Sequence, residues 1–442
     1  MHTCFNTMNI SESIVVFWFR RDLRLFDNTA LFQALTSGFK VVPIFIFDKT
    51  ILQNLKPDDK RVSFIYQAIK HLNQELMPFK TSIQVFHGSP DEIFEQILTN
   101  YPVIRVCANH DYEPYATERD FKIKKKLAEK GVLYQTYKDQ VIFEKAEITK
   151  LSGEPYTVYT PYSHKWLDKL TRDSNSLYNW NSENYLFNFI STEKREILSL
   201  KTIGFIETQG VFQPYQLNLP VLETYDKTRD FPALNSTSKV SAHLRFGTVS
   251  IRQMVAQALE TNATWLGELI WREFFMQILW HFPYVVHQPF KPKYQFIQWV
   301  NDEKDFEAWC NGQTGYVMVD AGMRELNETG FMHNRVRMVT ASFLVKHLLI
   351  NWQWGEAYFA EKLLDFELAS NNGNWQWAAG TGCDSAPYFR IFNPATQAEK
   401  FDPQNVYIKK WVTEFGTTSY IQPILEHAFA RERCLKTYKA SL

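Results

Sequence analysis

Short apolar runs alternate with helical stripes along the first 140 residues. Ile14 to Phe19 is uninterrupted apolar, Arg20 to Asn28 is a polar turn, and Ala30 to Leu35 returns to apolar residues, which predicts a βα unit. Further strands are predicted at Val41 to Phe47, Ser82 to Phe86, Val103 to Ala108 and Leu133 to Tyr137, with helical spacing between them. The clearest helix carries Phe64, Ile65, Ala68, Ile69, Leu72 and Leu76, the recurrence of a stripe that faces a core. Strands alternating with helices predict a doubly wound parallel sheet, a Rossmann-like α/β domain over residues 12–142. No GxGxxG follows the first strand and no GxxxxGK[ST] occurs, so a nucleotide on a glycine loop is not expected there.

From residue 143 to 220 the periodicity fades and Pro, Ser, Asn and Tyr accumulate, as in Gly153-Glu154-Pro155-Tyr156 and Asp173-Ser174-Asn175-Ser176; this predicts a long connecting segment. Residues 221–442 are helical in period nearly throughout, punctuated at Asn262, Pro283, Pro289, Gly312, Gly330, Gly355 and Gly373, and predict an all-α domain.

Charge and cysteine content narrow the function classes. Lys plus Arg and Asp plus Glu are 48 each, so any nucleic-acid contact must come from a local patch. The five cysteines, at 4, 107, 310, 383 and 434, form no CxxC pair, which argues against a disulfide framework or a zinc site and fits a reducing cytoplasm. No run approaches the ~18 apolar residues of a spanning helix, and Met1 to Ser13 lacks the build of a signal peptide. The aromatic load is the outlier: ten of the thirteen Trp follow Pro220, enough to build core or to hold a planar cofactor.

Four stretches of the helical half offer chemistry. WLGELIWREFFMQILWHF (265–282) is apolar around most of its circumference, so Glu268 and Arg272 must pair with each other at i,i+4 or meet a polar ligand. Trp271 lies on the face of Glu268, and a flat apolar surface beside a carboxylate suits a nucleobase-like ligand. A second helix opens at His333, with Asn334, Arg337 and Met338 on one face and Arg335 pointing away. The third, Asp365 to Trp377, offers three Asn and a Gly before a Trp pair, and predicts a helix start or a tight loop. Trp375 and Trp377, at i,i+2 and therefore about 200° apart, should serve two surroundings. Tyr225 and the hydroxyl cluster Thr237-Ser238-Lys239-Val240-Ser241 form the fourth, read as phosphate donors at a helix N-terminus or as a simple cap. Capped helices, surface arginines and core aromatics account for each stretch taken alone.

Taken together, FWFRRDLRLFDNTAL, GELIWREFF, GYVMVDAGMREL, HNRVRM, NNGNWQWAAGTG and APYFRIFNP resemble the photolyase/cryptochrome family, most closely its class I cyclobutane pyrimidine dimer photolyases, from about Ile14 to Asp402. The resemblance implies an α/β antenna domain, a helical domain holding FAD, and a cavity for a dimer flipped out of DNA. It implies that Tyr225, Thr237, Ser238, Lys239, Val240, Ser241, Arg272, Asn334, Arg337, Asp365, Phe366, Glu367 and Asn371 surround FAD, Asn371 facing flavin N5 and Asp365 pairing with Arg337. Glu268, Trp271, Met338 and Trp377 would contact the dimer; Trp375, Trp352 and Trp299 would carry electrons from the surface; Arg229, Arg335, Arg390, Gln397 and Lys400 would rim the DNA. A second chromophore, a folate, a deazaflavin or a flavin, would meet Asn109 and Glu113, although folate-binding relatives place a Lys before the His where this chain reads Val286-His287.

The implied activity is light-dependent repair by a monomeric protein without metal or membrane. A cryptochrome-like blue-light sensor is the alternative, and an aromatic-rich DNA-binding module, which would be colourless, is a third. Six-four photolyases carry a His pair where Asn334 and Met338 stand, and plant-type cryptochromes carry Asp at the position of Asn371, so the dimer-repair branch is expected.

Overall fold

The computed structural model describes residues 12–173, 175–191 and 197–441, so Cys4 and Ser174 lie outside the described residues. The chain forms two compact units. One holds residues up to Glu144 together with Asp173–Gln216 and Val240–Gln257; the other holds Lys145–Arg172, Leu217–Lys239 and the chain from Ala258 onward. The irregular segment 143–220 is thus divided between them: the helix Tyr159–Arg172 belongs to the helical unit, with Tyr162 and Trp166 buried.

In the first unit, strands β1 (Ile14–Phe19), β2 (Lys40–Asp48), β3 (Gln84–Gly88), β4 (Val103–Asn109) and β5 (Leu133–Tyr137) form a sheet in the order β3-β2-β1-β4-β5. Every pairing is parallel, with Ile14 opposite Lys40 at the start of β1 and β2. Helices α1 (Thr29–Leu35), α2 (Lys60–Leu76), α3 (Pro90–Asn100) and α4 (Pro114–Glu129) join the strands. The winding reverses between β1 and β4, as in doubly wound sheets. β1 is buried along its whole length, and this is why its sequence is a continuous apolar run and not an alternating one. Beyond the strand ends lies a buried polar network: Arg24 and Arg252 both donate to Asp139, at 2.6 and 2.8 Å, and Arg252 also binds Asp27. The two guanidinium groups hold the Asp139 carboxyl down at about 2 against a desolvation that would raise it.

The second unit is helical: α5 (Tyr159–Arg172), α6 (Ala263–His281), α7 (Glu303–Cys310), α8 (Val317–Thr329), α9 (Asn334–Ser342), α10 (Trp352–Lys362), α11 (Leu368–Ala379), α12 (Pro394–Phe401), α13 (Val406–Trp411) and α14 (His427–Ala440). No helix among the described residues is long and apolar enough to cross a membrane. Cys107, Cys310, Cys383 and Cys434 are free and buried.

Helix α11 is the centre of the unit. Three Asn and Gly373 lie inside it, and no loop interrupts it, because the glycine is required by packing: a Cβ at Gly373 would overlap the Phe275 ring of α6. A Cβ at Gly355 of α10 would likewise overlap Trp375. Two glycines therefore let α6 and α10 close on α11, and this gain in contact offsets the roughly 1 kcal/mol that each costs a helix.

Candidate functional site

The closely packed helices leave a cleft of about 620 Å³, its open mouth included, beside α9 and α11. Its lining contains Asn334, Arg337, Met338, Asp365, Phe366, Glu367, Asn371, Trp375 and Trp377, nine of the residues singled out from sequence, with Ala341, Phe359, Leu363, Ser370, Asn374 and Ala378.

Helix α9 is positioned by its cap. His333 Nδ1 accepts from the backbone N–H of Arg335 at 3.1 Å, which requires a neutral ring, and burial lowers its pKa to about 4. Arg337, one turn on, donates through Nη2 to both oxygens of Asp365 at 3.0 and 3.1 Å and through Nε to the Met332 carbonyl at 2.7 Å. The pair expected between Asp365 and Arg337 is present, and each charge compensates the other at the cleft wall. Arg335 is turned aside, bound to Asp230 at 2.7 Å and lying 4.3 Å over the Phe401 ring.

Asn371 is oriented by a residue that the sequence did not flag. Its Nδ2 donates to both the backbone carbonyl and the Oε1 of Glu356, each at 3.0 Å. A backbone carbonyl only accepts, so the amide cannot be turned over; Oδ1 is the atom left for the cleft. Burial pushes the Glu356 carboxyl above the usual range, and the hydrogen bond from Asn371 opposes this. An acid directly after Gly355 in an aromatic helix is the only sign the sequence offered.

Both indoles of α11 line the cleft, and their surroundings differ: Trp375 is buried and Trp377 half-buried. Trp375 also backs onto the aromatic core, with Trp309 at 6.1 Å and Phe359 at 4.9 Å.

Glu268 does not pair with Arg272. Its Oε1 accepts from Arg229 at 2.6 Å, while Arg272 Nε lies 3.9 Å from Glu367, so the two charges of α6 find partners in different segments. Trp271 is stacked on Tyr159 of α5, the rings 3.7 Å apart and 6° from parallel. Tyr159 in turn donates to the Gly267 carbonyl at 2.8 Å, which holds one face of the Trp271 ring. Nothing in the irregular sequence around Tyr159 announced this contact. The third charge of α6, Glu273, accepts from Trp166 Nε1 at 2.6 Å.

The remaining candidates fall outside the cleft lining. Tyr225 is buried beneath Arg229, whose guanidinium lies 5.3 Å over its ring. Lys239 adopts a left-handed backbone, φ 51°, ahead of a short helix Ser241–Phe246 that no side chain caps. Val240 and Ser241 belong to the sheet unit, and Thr237 to Lys239 to the helical one. Trp352 is buried and Trp299 rests edge-on against Tyr438, centroids 6.1 Å apart. Arg390 is exposed beside Phe392, and Lys400 lies over Phe401. Gln397 is half-buried on α12. In the sheet unit, the Asn109 amide is bound to Ala30, Asp22 and Asn28, and Glu113 accepts from Arg21 and Arg245.

Residues 15–178 match the family described as DNA photolyase, and residues 265–419 match the FAD binding domain of DNA photolyase. The deoxyribodipyrimidine photo-lyase of Vibrio cholerae is 34% identical, with 96% of this chain and 99% of the relative covered. That of Escherichia coli is 35% identical, over 96% of this chain and 98% of the relative. Among solved structures, a bacterial class III photolyase from Agrobacterium tumefaciens superposes with a TM-score of 0.86 at 30% identity, covering 99% of both chains. An archaeal photolyase from Sulfolobus tokodaii with two FAD molecules gives 0.79 at 32%, covering 97% of this chain and all of that one. The chain belongs to the photolyase/cryptochrome family, and its helical half carries that family's FAD-binding domain.

Proposed function

We propose that this protein is a light-dependent repair enzyme for cyclobutane pyrimidine dimers in DNA. The observation that carries the reading is the cleft itself, in which the Asn371 amide carbonyl, the Asp365-paired Arg337 and the indoles of Trp375 and Trp377 meet on α9 and α11. The chain's residues suit FAD: the Arg337–Asp365 pair brings charge without net cost, Asn371 Oδ1 is held for an N–H donor such as reduced flavin N5, and the indoles supply flat walls. When bound and reduced, the flavin supplies one light-driven electron to the dimer, which returns it after the bonds split.

The protein's own tasks are then positioning and exclusion of water. Trp271, braced by Tyr159, and Trp377 offer faces against which unstacked pyrimidines can rest. Glu268, on the same face of α6 as Trp271, offers a hydrogen-bonding group to the base edge. Arg229, Arg335, Arg390, Gln397 and Lys400 supply the DNA rim that a protein of zero net charge needs. Flipping costs a few kcal/mol and least at a damaged step, so the lesion favours its own capture.

The test is binding and colour together. The purified protein should be yellow with FAD and should retain a dimer-containing oligonucleotide over an undamaged one, with affinity falling as salt rises. A yellow protein without preference for the lesion would point to a sensor, and a colourless one to neither.

A further inference from the structure

Two of the five rim residues are already engaged by acids. Arg229 Nη1 donates to Glu268 at 2.6 Å, and Arg335 Nη2 donates to Asp230 at 2.7 Å. Each pair joins one guanidinium nitrogen to one carboxylate oxygen. Two other pairs of the helical unit are gripped at both oxygens: Arg337 meets Oδ1 and Oδ2 of Asp365, and Arg324 meets Oε1 and Oε2 of Glu414.

A one-pronged contact leaves guanidinium N–H donors for another anion. Solvent also reaches both rim pairs, since Glu268 is 36% and Asp230 38% exposed, so their attraction is screened and weak. The cations have a second hold that does not involve the acids: Arg229 lies 5.3 Å over the Tyr225 ring, and Arg335 lies 4.3 Å over that of Phe401. Each carboxylate can therefore turn away while its guanidinium stays on the ring.

We propose that DNA binds by exchange at these two pairs, phosphate oxygens replacing the carboxylates of Asp230 and Glu268, and that the exchange at Glu268 selects for the lesion. The exchange rests on the repair reading above. Asp230, once displaced, goes to water on any DNA. Glu268 stays on the face of α6 that carries Trp271, where a flipped pyrimidine brings an N–H to replace that of Arg229. Undamaged DNA breaks the Arg229–Glu268 pair without compensation, whereas a dimer gives each half a new partner. Asp230 thus sets affinity for DNA in general, and the Arg229–Glu268 pair sets affinity and choice together.

The experiment measures binding of the full chain, loaded with FAD and kept in the dark, to one duplex with and without a single thymine dimer. Asp230→Asn should tighten both complexes alike, by up to about fivefold, and leave their ratio unchanged. Glu268→Gln should tighten the undamaged complex by a similar factor and weaken the damaged one, so the ratio falls from both sides. Loss of any negative charge beside DNA favours binding, and arginine backgrounds separate that effect from unmasking. The Asp230→Asn gain should vanish in Arg335→Ala, and the Glu268→Gln gain on undamaged DNA should vanish in Arg229→Ala. The exchange is overturned, with the repair reading intact, if wild type prefers the dimer but either substitution fails to tighten undamaged DNA, or if the gains persist in the arginine backgrounds. A wild type without preference for the dimer overturns both.

Discussion

Replacing Glu268 by Gln separates a structural carboxylate from a lesion contact. The Arg229–Glu268 pair is short, 2.6 Å, but its side chains are 21% and 36% exposed, so solvent screens it and it contributes at most about 1 kcal/mol to folding. Helix α6 is held instead by Trp265, Leu269, Phe274, Phe275 and Ile278, all buried and untouched by the change. Folding stability should fall by no more than about 1 kcal/mol. A hydrogen bond between the base edge and a charged acceptor contributes about 1.5–3 kcal/mol, or roughly ten- to hundredfold. Repair per absorbed photon, measured on bound dimer oligonucleotide with prereduced protein, should fall by about that factor while FAD content stays unchanged. Arg229→Ala is the companion: it keeps the carboxylate and removes a rim cation, so it should weaken DNA binding and lower the salt slope by about one. A normal repair yield in Glu268→Gln, or a loss that merely follows unfolding, would refute the reasoning.

Gly373→Ala should destabilise the protein by roughly 1–3 kcal/mol in a denaturant titration, although alanine is the better helix former, because its methyl meets Phe275; a more stable variant would contradict the packing argument. Asp365→Asn should cost about 1–3 kcal/mol and release flavin on gel filtration, since Arg337 keeps its charge and loses its partner. Acid should undo the α9 cap. His333 titrates at about 4 in the fold against 6.5 when free, so its contribution is complete above pH 6.5 and is lost as pH falls toward 4. The whole change is about 3 kcal/mol, and His333→Asn, which can still cap, should flatten that part of the stability profile.

Much of this fold was readable because its determinants are local. A strand buried on both faces must be apolar throughout, and β1 is, so its position followed from sequence alone. The cleft residues of α9 and α11 were found because amides, an arginine and paired indoles are unusual on helices that otherwise read as core. Partners brought in from distant segments were hidden. Glu268 meets Arg229, 39 residues away, where the i,i+4 rule pointed to Arg272. Tyr159 stacks on Trp271 from a stretch with no periodic signal, and Glu356 fixes Asn371 from a neighbouring helix. Gly373 looked like a loop residue because the need for a missing side chain lies on α6, not on α11.

The most direct test is the fate of a single thymine dimer in a synthetic oligonucleotide mixed with chemically reduced, flavin-loaded protein. Under near-ultraviolet or blue light the account predicts restoration of two thymines, seen as recovered absorbance and chromatographic mobility, with no change in the dark. Persistence of the dimer under illumination, with flavin bound and reduced, would contradict it.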